Sequence, residues 1–241
     1  ALHKVPYAGD HEDPQELIAT AREVGAKLIY FANPDNPMGS WHSASVVEDM
    51  VANLPEGCVL ALDEAYADTA PAEAIPSITL SHQRLIRFRT FSKAYGLAGM
   101  RVGYALAAPD FIASFNRIRN HFGVGRVAQA AALAALADQD YLAQTIQNIA
   151  VARDRISAIA NENGLSALPS ATNFVTVDCG ADGDFARRLV AELGARGVFI
   201  RMPFVAPQDR CIRISCGPDA ALDVLAVQLP EALLASRGNP G

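Results

Sequence analysis

The residues with chemistry to offer are concentrated in the stretch 90–104, TFSKAYGLAGMRVGY. Lys93 follows Ser92 directly behind an apolar, β-like run at 85–91. Small residues come next (Ala94, Gly96, Ala98, Gly99), then Arg101, then a second strand-like run at 102–107. A lysine leaving a buried strand is costly unless its charge is used or removed. Partial desolvation makes such an amine a nucleophile able to form a Schiff base. Ser92 and Arg101 would then hold an anionic group beside it. A lone Ser-Lys pair would read as a surface lysine at a strand end; its neighbours decide otherwise.

Two further polar features stand where apolar runs end. Asn36 lies in the loop after KLIYFA, and Asp63 closes CVLALD with Tyr66 three residues on. In open parallel sheets ligands bind beyond the carboxyl ends of the strands, so these groups and Lys93 can converge on one crevice. An amide, a carboxylate, a phenol and an amine there suit pyridoxal 5′-phosphate. Lys93 would condense with its aldehyde, and Asp63 would keep the pyridine nitrogen protonated so that the ring draws off carbanion electrons. Tyr66 and Asn36 would bond its phenolate oxygen. Arg101, Ser92 and Thr90 would take the phosphate, Arg101 through two donors. Ala65 is small enough to lie flat against the ring.

Taken singly, each residue has a plainer reading. Asp63 would be a helix cap or a metal ligand, Tyr66 a packing residue, Asn36 before Pro37 a turn former, and Arg101 an ion-pair partner. Ser92 and Thr90 would be turn and strand residues. Their joint occurrence in order, each at a strand terminus, carries the functional reading.

The elements that must position them alternate. Asp13-Pro14 opens a helix that Gly25 closes, with Leu17, Ile18, Ala21 and Val24 as its apolar stripe. KLIYFA reads as a buried strand, 43–54 as a helix capped by Ser43, CVLALDEAY as a strand, and 85–91 and 102–107 as the third and fourth strands. This pattern predicts an α/β fold with a mainly parallel sheet flanked by helices. From Arg126 to Asn163 the pattern is helical, with a break at 138–140 and a stop at Gly164. TNFVTVDC, VFIRM and RCIRISC then read as strands, 184–197 and 219–235 as helices. The expected division is a cofactor-binding large domain at 1–125, connecting helices at 126–163, and a small C-terminal α/β substrate domain at 164–241.

At 241 residues and 51% hydrophobic, the chain can bury a full core. Its net charge of −6 and dispersed basic residues argue against a nucleic-acid partner. No apolar run is long enough to span a bilayer, and no signal peptide is visible. Cys58, Cys179, Cys211 and Cys216 lack metal-ligand spacing and read as reduced thiols of a cytoplasmic protein. The five histidines are scattered, so no metal is assigned.

NPDNPMG, DEAY and TFSKAYGLAGMRVGY resemble the signature segments of fold-type I pyridoxal-phosphate aminotransferases. SKAYGLAGMR, TNF and CIRISCG resemble the histidinol-phosphate aminotransferase branch. The resemblance spans essentially the whole chain. It implies transamination of histidinol phosphate or an aromatic amino acid with 2-oxoglutarate, Lys93 moving a proton from the substrate's Cα, in a homodimer. It implies Arg213 as the partner of the substrate α-carboxylate, Arg201 as a contact to the substrate phosphate, and Asn173 near the site. Single strand arginines also serve as structural ion pairs, and Asn173 reads equally as a strand-start cap.

The pattern departs from that family in places. Met38 stands where threonine is usual, and RNHFGVG at 119–125 replaces a proline-aromatic-asparagine-valine segment that shapes the substrate pocket. The chain starts without methionine at ALHKVPY. The N-terminal part of the family chain, with its ring-stacking aromatic, part of the phosphate site and a tyrosine lent to the partner subunit, is absent from this sequence. Two other functions fit the same residues: decarboxylation of a phosphorylated amino acid, and a non-catalytic cofactor-binding regulatory domain.

Overall fold

The computed structural model describes residues 1–78 and 82–237; residues 238–241 of the expected small domain lie outside that range. The chain packs as two compact units. Ala1–Asp35 with Trp41–Ile146 forms the larger, and Asn36–Ser40 with the chain from Gln147 onward forms the smaller.

In the larger unit, helix α1 (Pro14–Glu23) starts where the Asp13 carboxylate accepts from the amides of Gln15 and Glu16. It ends with Gly25 in the left-handed region (φ 63°), and the Ala26 amide closes on Ala21 O. Strand β1 is Leu28–Ala32, helix α2 is Ala44–Ala52 and strand β2 is Val59–Asp63. Ser43 holds the N-cap position of α2, but its hydroxyl pairs with Ser45 Oγ and caps no amide. Strand β3 (Leu85–Thr90) runs parallel to β2, as β2 does to β1, and strand β4 (Gly103–Leu106) returns antiparallel to β3. The order is β1-β2-β3-β4. Helix α3 (Pro109–Phe115), which the sequence did not suggest, begins on Pro109; helix α4 (Arg126–Ala137) follows. Helix α5 (Gln139–Glu162) begins across Asp138, the expected break, and Gly164 (φ 74°) ends it.

Register decides what each face of this sheet does. Ile29 and Phe31 pair with Leu60 and Leu62, and Leu60 pairs with Leu85. These side chains bury together against Ile18 and Ala21 of α1 and Val47, Met50 and Val51 of α2. The opposite face carries Leu28, Tyr30 and Asp63. The KLIYFA segment is therefore not a strand buried on both sides, as its composition suggested. It is one of the two outer strands of this sheet among the described residues, with Leu28 and Tyr30 each 57% exposed. Uniform apolarity cannot distinguish an outer from a central strand.

Because side chains alternate, Asp63 and Glu64 point to opposite faces. Glu64, 1% exposed, accepts from Arg87 Nε at 2.9 Å, Arg87 Nη2 at 2.7 Å and Arg89 Nε at 3.0 Å. Its own amide bonds Phe88 O at 2.8 Å. One carboxylate thus ties the end of β2 to β3.

The smaller unit contains strands β5 (Ser166–Ala167), β6 (Phe174–Asp178) and β7 (Cys211–Ser215), all antiparallel. Helices α6 (Gly183–Ala195) and α7 (Asp219–Arg237) pack there with the part of α5 from Gln147 onward. Ile156, Leu189, Leu193, Ile212 and Leu229 are fully buried in its core. VFIRM is not a strand: only Arg201 pairs, as an isolated bridge to Arg213. Gly197 (φ 78°) turns the chain immediately before it. The stretch 36–40 joins this unit through Ala171 N to Gly39 O (2.9 Å) and Thr176 Oγ1 to Pro37 O (2.6 Å). Gly39 has φ 79°, and a Cβ there would stand 2.6 Å from Ser170 Oγ.

Removing one partner from a buried ion pair leaves uncompensated charge. Glu64→Gln is expected to lower unfolding stability by about 3 kcal/mol, because two arginines lose their counterion. Urea titration of variant and parent checks this; a midpoint unchanged by the substitution would show the triad to be dispensable.

Candidate active site

The parallel register of β2 and β3 brings Asp63, Thr90 and the segment after β3 to the same end of the sheet. Lys93 is half-buried, and its Nζ lies 4.9 Å from the centroid of the buried Tyr66 ring. The amine and the phenol predicted to work together are therefore neighbours.

The turn bearing the lysine is built locally. Thr90 Oγ1 accepts from the Ser92 amide at 3.1 Å and reaches Val102 O at 3.4 Å. The Gly96 amide bonds Lys93 O at 2.9 Å, with Gly96 at φ 70°, and the Leu97 amide bonds Phe91 O. Arg101 adopts a left-handed backbone (φ 53°) and its Nη1 donates to Ala98 O at 3.0 Å. A non-glycine residue there is uncommon, and such outliers gather where the surroundings impose a geometry. Gly103, at the start of β4, admits no side chain: a Cβ would stand 2.8 Å from Arg89 O.

Thr90, Ser92 and Arg101 line one open cavity of about 570 Å³, together with Arg89, Tyr104 and Arg119. Hydroxyl and guanidinium groups around one cavity suit an anion. Arg89 and Arg119 were not singled out from the sequence. Arg89 borders the cavity while its Nε is held by Glu64 at 3.0 Å, and Arg119 opens the 119–125 segment just after α3, a helix the pattern did not show.

Asp63 is held on both oxygens. Oδ1 accepts from the Ala65 amide at 2.9 Å and Oδ2 from the Tyr30 hydroxyl at 2.6 Å. Tyr30 as a whole is exposed, yet desolvation first, and the bond to Asp63 next, hold its phenol well above the ordinary tyrosine range. Nearby, the Tyr7 hydroxyl bonds both oxygens of Asp35, at 3.1 and 3.0 Å. Glu12 Oε2 accepts from the Ala32 amide at 3.1 Å. Burial, then the Asp35 charge, pushes the Glu12 carboxyl up to about 8.

In the smaller unit, Arg213 Nη1 donates to Asn36 Oδ1, and its guanidinium lies 4.8 Å from the Phe174 ring centroid. Arg201 is exposed and shares two backbone bonds with Arg213, at 3.1 and 2.7 Å; its guanidinium lies 5.7 Å from the Phe199 ring. Asn173 supplies a carbonyl to the Cys216 amide at 2.9 Å. The four cysteines are free thiols, and among the described residues no cluster of metal-ligating side chains and no helix long and apolar enough to cross a membrane is found.

The model of the family aminotransferase class I and II matches residues 2–229. The chain belongs to this family. Histidinol-phosphate aminotransferase 2 of Ralstonia nicotianae is 38% identical over 213 residues, 87% of this chain and 57% of that protein. Its namesake in Pseudomonas fluorescens is 40% identical over 194 residues, 79% of this chain and 51% of that protein. Among solved structures, histidinol-phosphate aminotransferase from Sinorhizobium meliloti in complex with pyridoxal-5′-phosphate superposes with a TM-score of 0.96 at 54% identity. That match covers 98% of this chain and 65% of the other. The chain thus spans only part of the length of these aminotransferases.

Glu12 predicts a pH dependence. Its folded-state proton is held to about pH 8, whereas the unfolded chain releases it near 4.5. Its contribution to stability is complete below pH 4.5 and is lost as pH rises to about 8. Glu12→Gln should flatten that part of the stability–pH curve, leaving the variant more stable than the parent at pH 8 and above. Denaturant midpoints across pH check it; parallel curves would refute the assignment.

Proposed function

We propose that this chain carries the cofactor-binding and substrate-carboxylate residues of a pyridoxal-phosphate-dependent aminotransferase of the histidinol-phosphate type. The observation that carries the reading is the Lys93 amine over the Tyr66 ring, at the sheet end where Asp63 and the anion-suited cavity lie. The donor set fits the cofactor: an amine for an aldehyde, a carboxylate for a pyridinium nitrogen, a phenol for a phenolate oxygen, and guanidinium with hydroxyls for a phosphate. The likeness to the Sinorhizobium meliloti enzyme, whose structure contains that cofactor, supports the same choice.

When bound, pyridoxal 5′-phosphate supplies a conjugated ring that accepts the electron pair left as a bond to Cα breaks. Asp63 holds the ring nitrogen through its carboxylate. Tyr66 and, by its place in the sequence, Asn36 hold the phenolate oxygen. Arg101, Ser92 and Thr90 hold the phosphate, with Thr90 also bracing the Ser92 turn. Lys93 Nζ takes the proton from the substrate Cα, and its position beside Tyr66 limits the directions from which it can do so. Arg213 clamps the α-carboxylate of the donor, and Arg201 takes a distal phosphate on it. The donor is histidinol phosphate or an aromatic amino acid, with 2-oxoglutarate as acceptor. The family resemblance supports a homodimer, and the free thiols support a cytoplasmic setting.

Borohydride reduction with pyridoxal 5′-phosphate, followed by peptide mapping, should label Lys93, and Lys93→Ala should remove the label. A label on another lysine would refute the reading. In a donor screen against 2-oxoglutarate, histidinol phosphate should be the best substrate. Release of carbon dioxide without need of an acceptor would instead identify a decarboxylase.

A further inference from the structure

The face of the sheet that bears Asp63 also bears an aromatic side chain with no part in the apolar core. Tyr30 sits on β1 directly opposite Ala61, and Asp63 sits opposite Ala32. Both opposing residues are alanines, so the diagonal between Tyr30 and Asp63 is not filled by bulk. Diagonal neighbours on one face lie within reach of an aromatic side chain. The phenol uses that reach: its hydroxyl donates to Asp63 Oδ2 at 2.6 Å, while Ala65 N donates to Oδ1 at 2.9 Å.

Two donors on different oxygens fix the plane of a carboxylate more firmly than one. The backbone donor Ala65 N sets one oxygen from the chain's own turn. Tyr30 sets the other from a neighbouring strand, tying Asp63 to β1 as well. A carboxylate has about four acceptor positions, so capacity remains for a ligand nitrogen once both donors are seated. Other acceptors stand in the same neighbourhood. Tyr7 is engaged with Asp35, and Glu12 with the Ala32 amide, so those carboxyl groups have separate donors.

We propose that Tyr30 is a positioning residue for Asp63: its hydroxyl orients the carboxylate that receives the ring nitrogen of pyridoxal 5′-phosphate. The inference rests on the cofactor reading above but concerns a residue on another strand that makes no contact with the reacting atoms.

The test is a double-substitution cycle on the full chain, read as pyridoxal 5′-phosphate affinity by calorimetry. Tyr30→Phe should weaken binding about tenfold in the parent, the scale of one hydrogen bond to a charged group. In the Asp63→Asn background the same change should cost less than about twofold, because the group it acts through is gone. Equal loss in both backgrounds, or none in the parent, would overturn the proposal. A cofactor-free measurement accompanies it. The tyrosine doublet in the Raman spectrum reports phenol donor strength, and subtracting the Tyr30→Phe spectrum isolates Tyr30. It should register a strong donor in the parent and a weak one in Asp63→Ala; an unchanged signal would refute the contact itself. No calorimetric binding by the parent, with the Raman signal behaving as expected, would locate the failure in the cofactor reading instead.

Discussion

The larger unit depends on one buried carboxylate. Glu64 gathers three guanidinium donors from two arginines of β3 and so joins the ends of the two strands. Burying an ion cluster is costly, and the cost is offset only when geometry and hydrogen bonding are nearly complete. That demand for completeness leaves the strand ends little freedom to slide. Asp63, at the end of β2, and the Lys93 turn after β3 inherit their spacing from it.

The two units use antithetical means to hold polar groups. In the larger unit, parallel strands line up their carboxyl ends, and Asp63 and the Lys93 turn collect there. In the smaller, an antiparallel sheet places Arg213 beside the Phe174 ring, where stacking restrains the guanidinium without consuming its donors. The amide of Asn36 accepts one of those donors.

Much of the candidate site was legible in residue types alone. Lys93, Asp63, Tyr66 and the Thr90–Ser92–Arg101 group lie at strand ends, and strand ends are visible as apolar runs meeting small or polar residues. The helices α1, α5 and α6 were legible from caps and periodicity. What stayed hidden required register. Tyr30 looked like one more member of a buried run because its meaning depends on standing diagonal to Asp63, a relation between strands. Glu64 drew no reading from the sequence, because its arginines are distant along the chain. VFIRM had strand composition but pairs at a single residue, and composition cannot supply a partner. The direction of the small sheet was equally invisible to periodicity.

The alternation of Asp63 and Glu64 has a consequence for how this chain can change over time. Neighbouring acids, one ending β2 and one just past it, serve opposite sides, so the tally of residues between Leu60 and Ala65 is itself information. A point substitution alters one side only. Loss or gain of a single codon in that interval would turn the side chains that follow to the other side of the sheet, separating Glu64 from its two arginines and Asp63 from Tyr30. Insertions should therefore be tolerated in the turns on either side and be purged from these few positions.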